Sequence, residues 1–272
     1  QVSGSDLKAS PLSHAVESAG GQVFIGHRAE QVGNAYLVVR SSAIPDENVE
    51  VQEALRQGIP VLKRADFLEE LVGDKICLAV AGSHGKTTST ALLAYLLTQL
   101  GQDPSYIVGG TVKNLNTNAH AGSGKYFVIE ADEYDFMFLG LSPSVAVITN
   151  VEHDHPDLFP SEESFFEAFR QFITRVEPQG TVVYCIDDAG AKTIVEKAQL
   201  TDINTVSYGI DPTADYHAVQ VQETDSGVSY TMITPGGDQI RVHLQLAGKH
   251  NVWNSMGILA VIDQLDLPLV DA

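Results

Sequence analysis

Short apolar runs alternate with helical stretches along most of the chain, and that rhythm predicts an α/β fold built on a parallel sheet. Over residues 1–73 the strands Val23-Phe24-Ile25 and Tyr36-Leu37-Val38-Val39 alternate with helical stretches near 11–19, 47–58 and 65–72. Beyond Gly73-Asp74-Lys75, strands are predicted at 76–81, 105–109, 126–131, 145–149, 181–185 and 204–208, with helices at 86–100, 162–176 and 188–198. Residues 214–247 change character. They alternate (Val219, Val221; Val228, Tyr230, Met232; Ile240, Val242, Leu244) around the turn Pro235-Gly236-Gly237-Asp238, the pattern of antiparallel hairpins appended to a parallel sheet. A last helix is expected from about Asn251 to Asp263.

Between the strand at 76–81 and the helix at 86–100 lies Gly82-Ser83-His84-Gly85-Lys86-Thr87-Thr88. Strand, glycine loop and helix N-terminus together make a polyphosphate cradle. Backbone N–H groups and the positive end of the helix dipole face the anion, and a lysine adds a point charge. The commoner nucleotide-binding loop has a glycine five residues before Gly85, where this chain has Val80, so the loop is of a compact form. A helix start capped by Gly and Ser accounts for Ser83 and Gly85, but not for a lysine and two threonines in the first turn.

Two polar clusters end two of the predicted strands, where ligands of a parallel sheet bind. In Glu130-Ala131-Asp132-Glu133-Tyr134-Asp135 the carboxylates repel one another unless they face solvent or share a cation. Glu130 is the first candidate for Mg²⁺, whose usual shell is oxygen ligands and substrate phosphates. The next strand ends in Asn150-Val151-Glu152-His153-Asp154-His155-Pro156-Asp157, residue types that ligate metals, with spacing alone leaving open which of them converge. Gly248-Lys249-His250-Asn251-Val252-Trp253-Asn254 reads as a helix start with an Asn cap.

The net charge of -19 argues against a nucleic-acid partner, though a local loop and a metal ion can still hold phosphate within an acidic surface. Cys77 and Cys185 each sit inside an apolar run and read as core residues rather than a disulfide, which fits a cytoplasmic location. No apolar run reaches membrane-spanning length, so no membrane insertion is expected. Asp6, after Gly4-Ser5, has two readings: the acid that ends the second strand of a Rossmann-like half and meets a ribose hydroxyl, or part of a Ser-Asp helix cap. The fold expected is therefore α/β: a partial Rossmann-like N-terminal domain over 1–73 with its first strand missing, then a P-loop-type α/β central domain over 74–272 with an appended antiparallel β region. The chain opens on Gln1 and stops at Asp271-Ala272 directly after a helix-like segment, so a piece of a longer protein is expected.

Residues 82–88, 130–133, 150–155 and 248–254 occur in the order found in the Mur ligases, the ATP-dependent amino-acid ligases of peptidoglycan precursor synthesis, and the chain resembles that family over nearly its whole length. The N-terminal stretch, with Gly4-Ser5-Asp6, Ile25-Gly26-His27-Arg28-Ala29-Glu30 and Ser41-Ser42-Ala43-Ile44-Pro45, looks most like the branch that joins L-alanine to UDP-N-acetylmuramate. The branch that adds a recycled tripeptide shares an Asp-Glu-Tyr-Asp segment like 132–135, but the aromatic-basic insertion associated with it is not seen in 136–145.

The resemblance implies ATP and Mg²⁺ as cofactors and UDP-N-acetylmuramate and L-alanine as substrates, joined through an acyl-phosphate. It implies that Gly82, Ser83, His84, Gly85, Lys86, Thr87 and Thr88 cradle the ATP phosphates, with Lys86 at the β/γ-phosphates. Thr87 and Glu130 would bind one Mg²⁺, and His155 a second cation; Lys86, Glu130 and His155 form the catalytic set. Asn251 and Asn254 would face the adenine, His84 would sit between phosphates and muramoyl substrate, and Asp6, His27 and Ser41 would contact the uridine nucleotide. Pro156 stands where the family commonly has another residue. The family's C-terminal domain is not in this chain, so the isolated chain is expected to bind nucleotide weakly and not to ligate. A non-catalytic nucleotide-binding module is the reading of another class. Folylpolyglutamate synthase has a similar loop, but Glu130-Ala131-Asp132-Glu133 and the N-terminal motifs count against it; a P-loop hydrolase or kinase would need the longer glycine loop.

Overall fold

The computed structural model describes residues 1–269, in two compact units that divide after Leu68 rather than after Gly73. The first unit holds β1 (Ser3–Asp6), α1 (Pro11–Ser18), β2 (Gln22–Ile25), a 3-10 turn (Ala29–Val32), β3 (Val38–Arg40), α2 (Val49–Arg56), β4 (Val61–Lys63) and the start of α3 (Arg64–Val72). Its strands form two separate parallel pairs, β1 with β2 and β3 with β4, in place of the single parallel sheet expected. The strand expected from Tyr36 starts only at Val38, because Tyr36 is exposed and the first ladder bond runs from Val38 N–H to Pro60 O. Asp6 ends β1, and α1 is capped by Ser10 in a reciprocal box with Ser13, so Asp6 is a strand-end residue and not a helix cap.

The second unit contains β5 (Ile76–Ala81), α4 (Lys86–Gln99), β6 (Ser105–Val112), β7 (Thr117–His120), β8 (Tyr126–Glu130), a 3-10 segment (Tyr134–Gly140), β9 (Val145–Ile148), α5 (Glu162–Ile173), β10 (Thr181–Cys185), α6 (Ala189–Lys197), β11 (Asn204–Gly209), β12 (Tyr216–Thr224), β13 (Gly227–Ile233), β14 (Gln239–Leu244) and α7 (His250–Gln264). The strands form one sheet in the order β14-β13-β12-β11-β10-β9-β5-β8-β6-β7. Pairing is parallel from β6 across to β12, and β13 and β14 add the antiparallel hairpins read from residues 214–247. β7, polar and four residues long, folds back antiparallel on β6 and had no apolar signal to announce it.

Leu78, Val80, Val128, Val147 and Val183 pack with Leu93 and Leu97 of α4 and with Val252, Met256 and Leu259 of α7. Successive strand residues point to opposite faces, so Cys77, Ala79 and Ala81 face away from that layer. A second cluster is aromatic. Phe165, Phe169 and Phe172, spaced to share one face of α5, meet Phe138 and Phe159 at ring-centroid distances of 4.9 to 5.3 Å. Among the described residues no helix is long and apolar enough to cross a membrane.

Cys77 and Cys185 are both free and buried, and burial pushes each thiol up to about 12. Neither is therefore a thiolate at pH 8. Iodoacetamide at that pH is expected to label neither cysteine in the native protein and both in denaturant, as read by mass spectrometry.

Candidate phosphate-binding site

β5 has β8 on one side and β9 on the other, and the chain leaves β5 through α4 toward β6 before returning by β8 and crossing to β9. That is a topological switch point, where the carboxyl ends of parallel strands open a crevice. Residues 82–85 occupy it.

The loop is stitched to the exit of β9. Ser83 N–H donates to Asn150 O at 3.0 Å, and the Ser83 hydroxyl donates to Glu152 O at 2.7 Å while accepting from Glu152 N–H at 2.9 Å. His84 N–H donates to Asn150 Oδ1 at 2.8 Å, and His84 O accepts from Thr149 Oγ1 at 2.7 Å and Asn150 Nδ2 at 2.9 Å. Gly82, at φ +145°, has no room for a side chain: a Cβ there would collide with Thr149 Oγ1 and stand 3.0 Å from Asn150 O. Gly85, at φ +80°, opens α4, and a Cβ on it would lie 2.5 Å from Asn254 Oδ1. No side chain caps α4, and the Ser83 hydroxyl is committed to Glu152, so a plain Gly-Ser helix cap does not describe this loop.

Two polar pairs hang from the loop. Lys86 Nζ donates to Gly82 O at 2.6 Å and to Glu133 Oε1 at 3.0 Å, and stands 2.9 Å from Glu133 Oε2. The Glu133 side chain is 0% exposed and that of Lys86 14%. His155 Nε2 approaches the same carboxylate at 3.6 Å. On the other side, Thr87 Oγ1 donates to Glu130 Oε1 at 2.9 Å, and Gly109 N–H donates to Glu130 Oε2 at 2.7 Å. The His155 amide donates to Asp154 and holds that carboxyl below its usual range.

Backbone conformation around this cluster is strained. Asp135 and Phe136 follow Glu133 at φ +54°, and His155 has φ +53°, values that cost non-glycine residues energy and persist where the surroundings impose them. Packing supplies the constraint: Phe136 meets Phe159 edge to face, His153 Nε2 bonds Phe159 O at 2.8 Å, and Tyr134 stands edge-on to His155.

Of the residues singled out in the sequence, Gly82, Ser83, His84, Gly85, Lys86, Thr87, Glu130 and His155 gather at these strand ends, and Thr88 follows in the first turn of α4. The His84 ring is exposed, with Nε2 3.9 Å from Glu152 Oε2. Asn251 is not the helix cap expected; α7 begins at His250, and the buried Asn251 amide donates to Ala247 O at 2.8 Å. Asn254 Nδ2 donates to Asn251 Oδ1 at 3.2 Å, so both amides are engaged within α7 and its approach. Beside them Trp253 donates to Asp187 Oδ2 at 2.6 Å.

Asp6, His27 and Ser41 lie in the first unit. The main chain of Asp6 accepts from Gly26 N–H at 2.8 Å, and His27 Nδ1 lies 2.9 Å from Ser5 Oγ and 3.2 Å from Glu50 Oε2. Ser41 begins a turn after β3, its hydroxyl accepting from Ala43 N–H at 3.1 Å. Sequence reasoning passed over Glu133, Thr149 and Asn150 as functional residues. Glu133 stood in the acidic run, where nothing distinguished a buried carboxylate from an exposed one.

Among the described residues no group of three or more His, Cys, Asp or Glu side chains converges on a metal position. The oxygens of Thr87 and Glu130, oriented by each other and by Gly109, fit a Mg²⁺ that takes its remaining ligands from phosphate and water. The uncapped start of α4 and the Lys86 ammonium fit the phosphates themselves.

The chain matches the family described as Mur ligase middle domain over residues 80–262, and that described as Mur ligase family, catalytic domain, over residues 1–75. It is 40% identical over 268 residues to a UDP-N-acetylmuramate--L-alanine ligase of Geobacter sp. (strain M21), covering 98% of this chain and 58% of the relative. The enzyme of that name from Syntrophus aciditrophicus (strain SB) is 40% identical over 272 residues, covering 99% and 56%. The chain thus spans little more than half the length of these curated relatives. Among solved structures, the UDP-N-acetylmuramate:L-alanyl-gamma-D-glutamyl-meso-diaminopimelate ligase from Neisseria meningitides superposes with a TM-score of 0.87 at 26% identity, covering 100% of this chain and 88% of that one. The UDP-N-acetylmuramate-alanine ligase from Thermotoga maritima gives 0.84 at 24% identity, covering 99% and 60%, a likeness of fold.

The crowding at Gly82 makes a direct test of the loop. Gly82→Ala is expected to lower unfolding free energy by about 2–4 kcal/mol, because backbone of β9's exit has to move. Gly236→Ala, where a Cβ meets nothing closer than 3.7 Å, is expected to change it by less than about 0.5 kcal/mol. Urea denaturation followed by circular dichroism reads both.

Proposed function

The chain belongs to the Mur ligase family, and from that premise we propose that it carries the ATP-binding and UDP-sugar-binding parts of a ligase that joins L-alanine to the lactyl carboxylate of UDP-N-acetylmuramate. The observation that carries the reading is the β5–α4 loop at the sheet's switch point, with Lys86 and the Thr87–Glu130 pair on either side of its helix start. The curated relatives at 40% identity support the choice of L-alanine.

In this reading Gly82 to Thr88 cradle the ATP phosphates and Lys86 orients the β- and γ-phosphates. Thr87 and Glu130 hold Mg²⁺, and His155 faces a second cation. A divalent cation held there would supply charge neutralisation for the γ-phosphoryl group being transferred. The protein's own work is positioning: it aligns the sugar's carboxylate with the γ-phosphorus, and after phosphoryl transfer it admits the amine of L-alanine to the activated carbonyl, from which phosphate departs. Asn254 lies close against Gly85 and donates to Asn251, so both asparagines border the glycine loop and face the adenine in this reading. Asp6, His27 and Ser41 serve the uridine nucleotide, and the exposed His84 ring is free to meet the muramoyl group.

A second reading keeps the same chemistry and replaces L-alanine by a tripeptide. It is favoured by Asp132-Glu133-Tyr134-Asp135 and by the Neisseria meningitides structure.

Release of ADP by the full-length protein, with UDP-N-acetylmuramate present, separates the two. Turnover that depends on L-alanine and is lowered about 1000-fold in Lys86→Ala is expected. Turnover with L-alanyl-γ-D-glutamyl-meso-diaminopimelate alone would establish the second reading, and no turnover with either amine would overturn both.

A further inference from the structure

We propose that Glu133 is a positioning residue: its carboxylate holds the Lys86 ammonium against the loop and offsets its charge, so that the loop takes a polyphosphate only together with a divalent cation. The proposal rests on the reading of residues 82–88 as an ATP site.

Glu133 has no exposed surface, and a carboxylate taken out of water needs a cation or a proton. Lys86 is the cation the structure supplies, 3.0 and 2.9 Å from the two oxygens. Among the described residues Oε2 accepts no hydrogen bond, although the ammonium stands 2.9 Å from it. The ammonium is meanwhile fixed from the other side by Gly82 O at 2.6 Å. Its direction is therefore set by Glu133 and Gly82 before any anion arrives.

Paired with a buried carboxylate that His155 Nε2 also approaches at 3.6 Å, Lys86 offers an incoming phosphate little net charge. The same strand ends carry Glu130, Asp132, Asp135, Glu152, Asp154 and Asp157. A bare polyphosphate meets repulsion there, and a cation at Thr87 and Glu130 reverses the sign. The buried partner thus shifts the attraction for the anion from the lysine toward the metal.

The test is ATP binding by titration calorimetry to the full-length protein, with Mg²⁺ or with EDTA. Wild type is expected to lose more than about tenfold in affinity when Mg²⁺ is removed. Glu133→Gln is expected to bind metal-free ATP about tenfold more tightly than wild type does. Glu133→Asp keeps the charge and is expected to keep the wild-type metal dependence. A Glu133→Gln protein whose metal-free affinity equals or falls below that of wild type overturns the proposal and leaves the ATP site standing. Wild type that binds no ATP under either condition removes the ATP site and the proposal with it.

Thermal unfolding gives a second readout that needs no ligand. Lys86→Met strands Glu133 and is expected to lower the midpoint by about 10 °C, and Lys86→Met/Glu133→Gln to recover most of that loss. A double variant as unstable as the sum of the two single variants would also overturn the pairing.

Discussion

Parallel pairing of β5 with β8 on one side and β9 on the other sets three strand ends beside one another, and the polar arrangements around the glycine loop depend on that. Each end feeds a loop: 82–85 after β5, 131–133 after β8 and 149–157 after β9. The first carries the glycines and leads into Lys86 at the start of α4, the second carries Asp132 and Glu133, and the third the amide and backbone groups that hold the first in place. No one of these loops makes a site alone. Ser83 and His84 are fixed by Thr149, Asn150 and Glu152, and Lys86 by Glu133, so the cradle is a property of adjacent strands rather than of a motif.

The second constraint is aromatic. Phe159, Phe165, Phe169 and Phe172 with Phe138 form a rigid block against the two acidic loops. Non-glycine residues at positive φ sit where those loops meet the block, at Asp135, Phe136 and His155. Burial of large rings, each worth a few kcal/mol, outweighs strain of about 1–3 kcal/mol per residue. The ordering of the polar cluster is thus underwritten by apolar packing that touches no ligand.

The strands at 76–81 and 181–185 were legible to the residue, because long apolar runs bounded by polar residues admit few other readings. β4 and β7 were not, since three or four residues with no periodicity become strands only when a partner lies alongside. The N-terminal unit shows the same limit: α1, β2, β3, α2 and α3 were foreseen in order, but β1 and β4 were not, and the division into two sheets depends on pairing that composition does not encode. At the strand ends, Lys86 and Glu130 were singled out by residue type and context, and the structure brings them to the same loop cluster as Thr87. The burial of Glu133 was not evident, because it arises from packing around residues 134–138 and from a lysine 47 positions away. The Asn251 cap failed for a related reason: α7 starts one residue earlier, and the amide turns back to Ala247.

Trp253, tied to Asp187 and next to the asparagine that abuts Gly85, is the only tryptophan in the chain. The indole emission of the whole chain therefore originates from a single point, one residue from the contact between α7 and the glycine loop. A carboxylate bonded to the indole N–H makes that emission sensitive to small displacements. The fold thus contains its own optical probe of the loop, and no dye has to be attached to watch it.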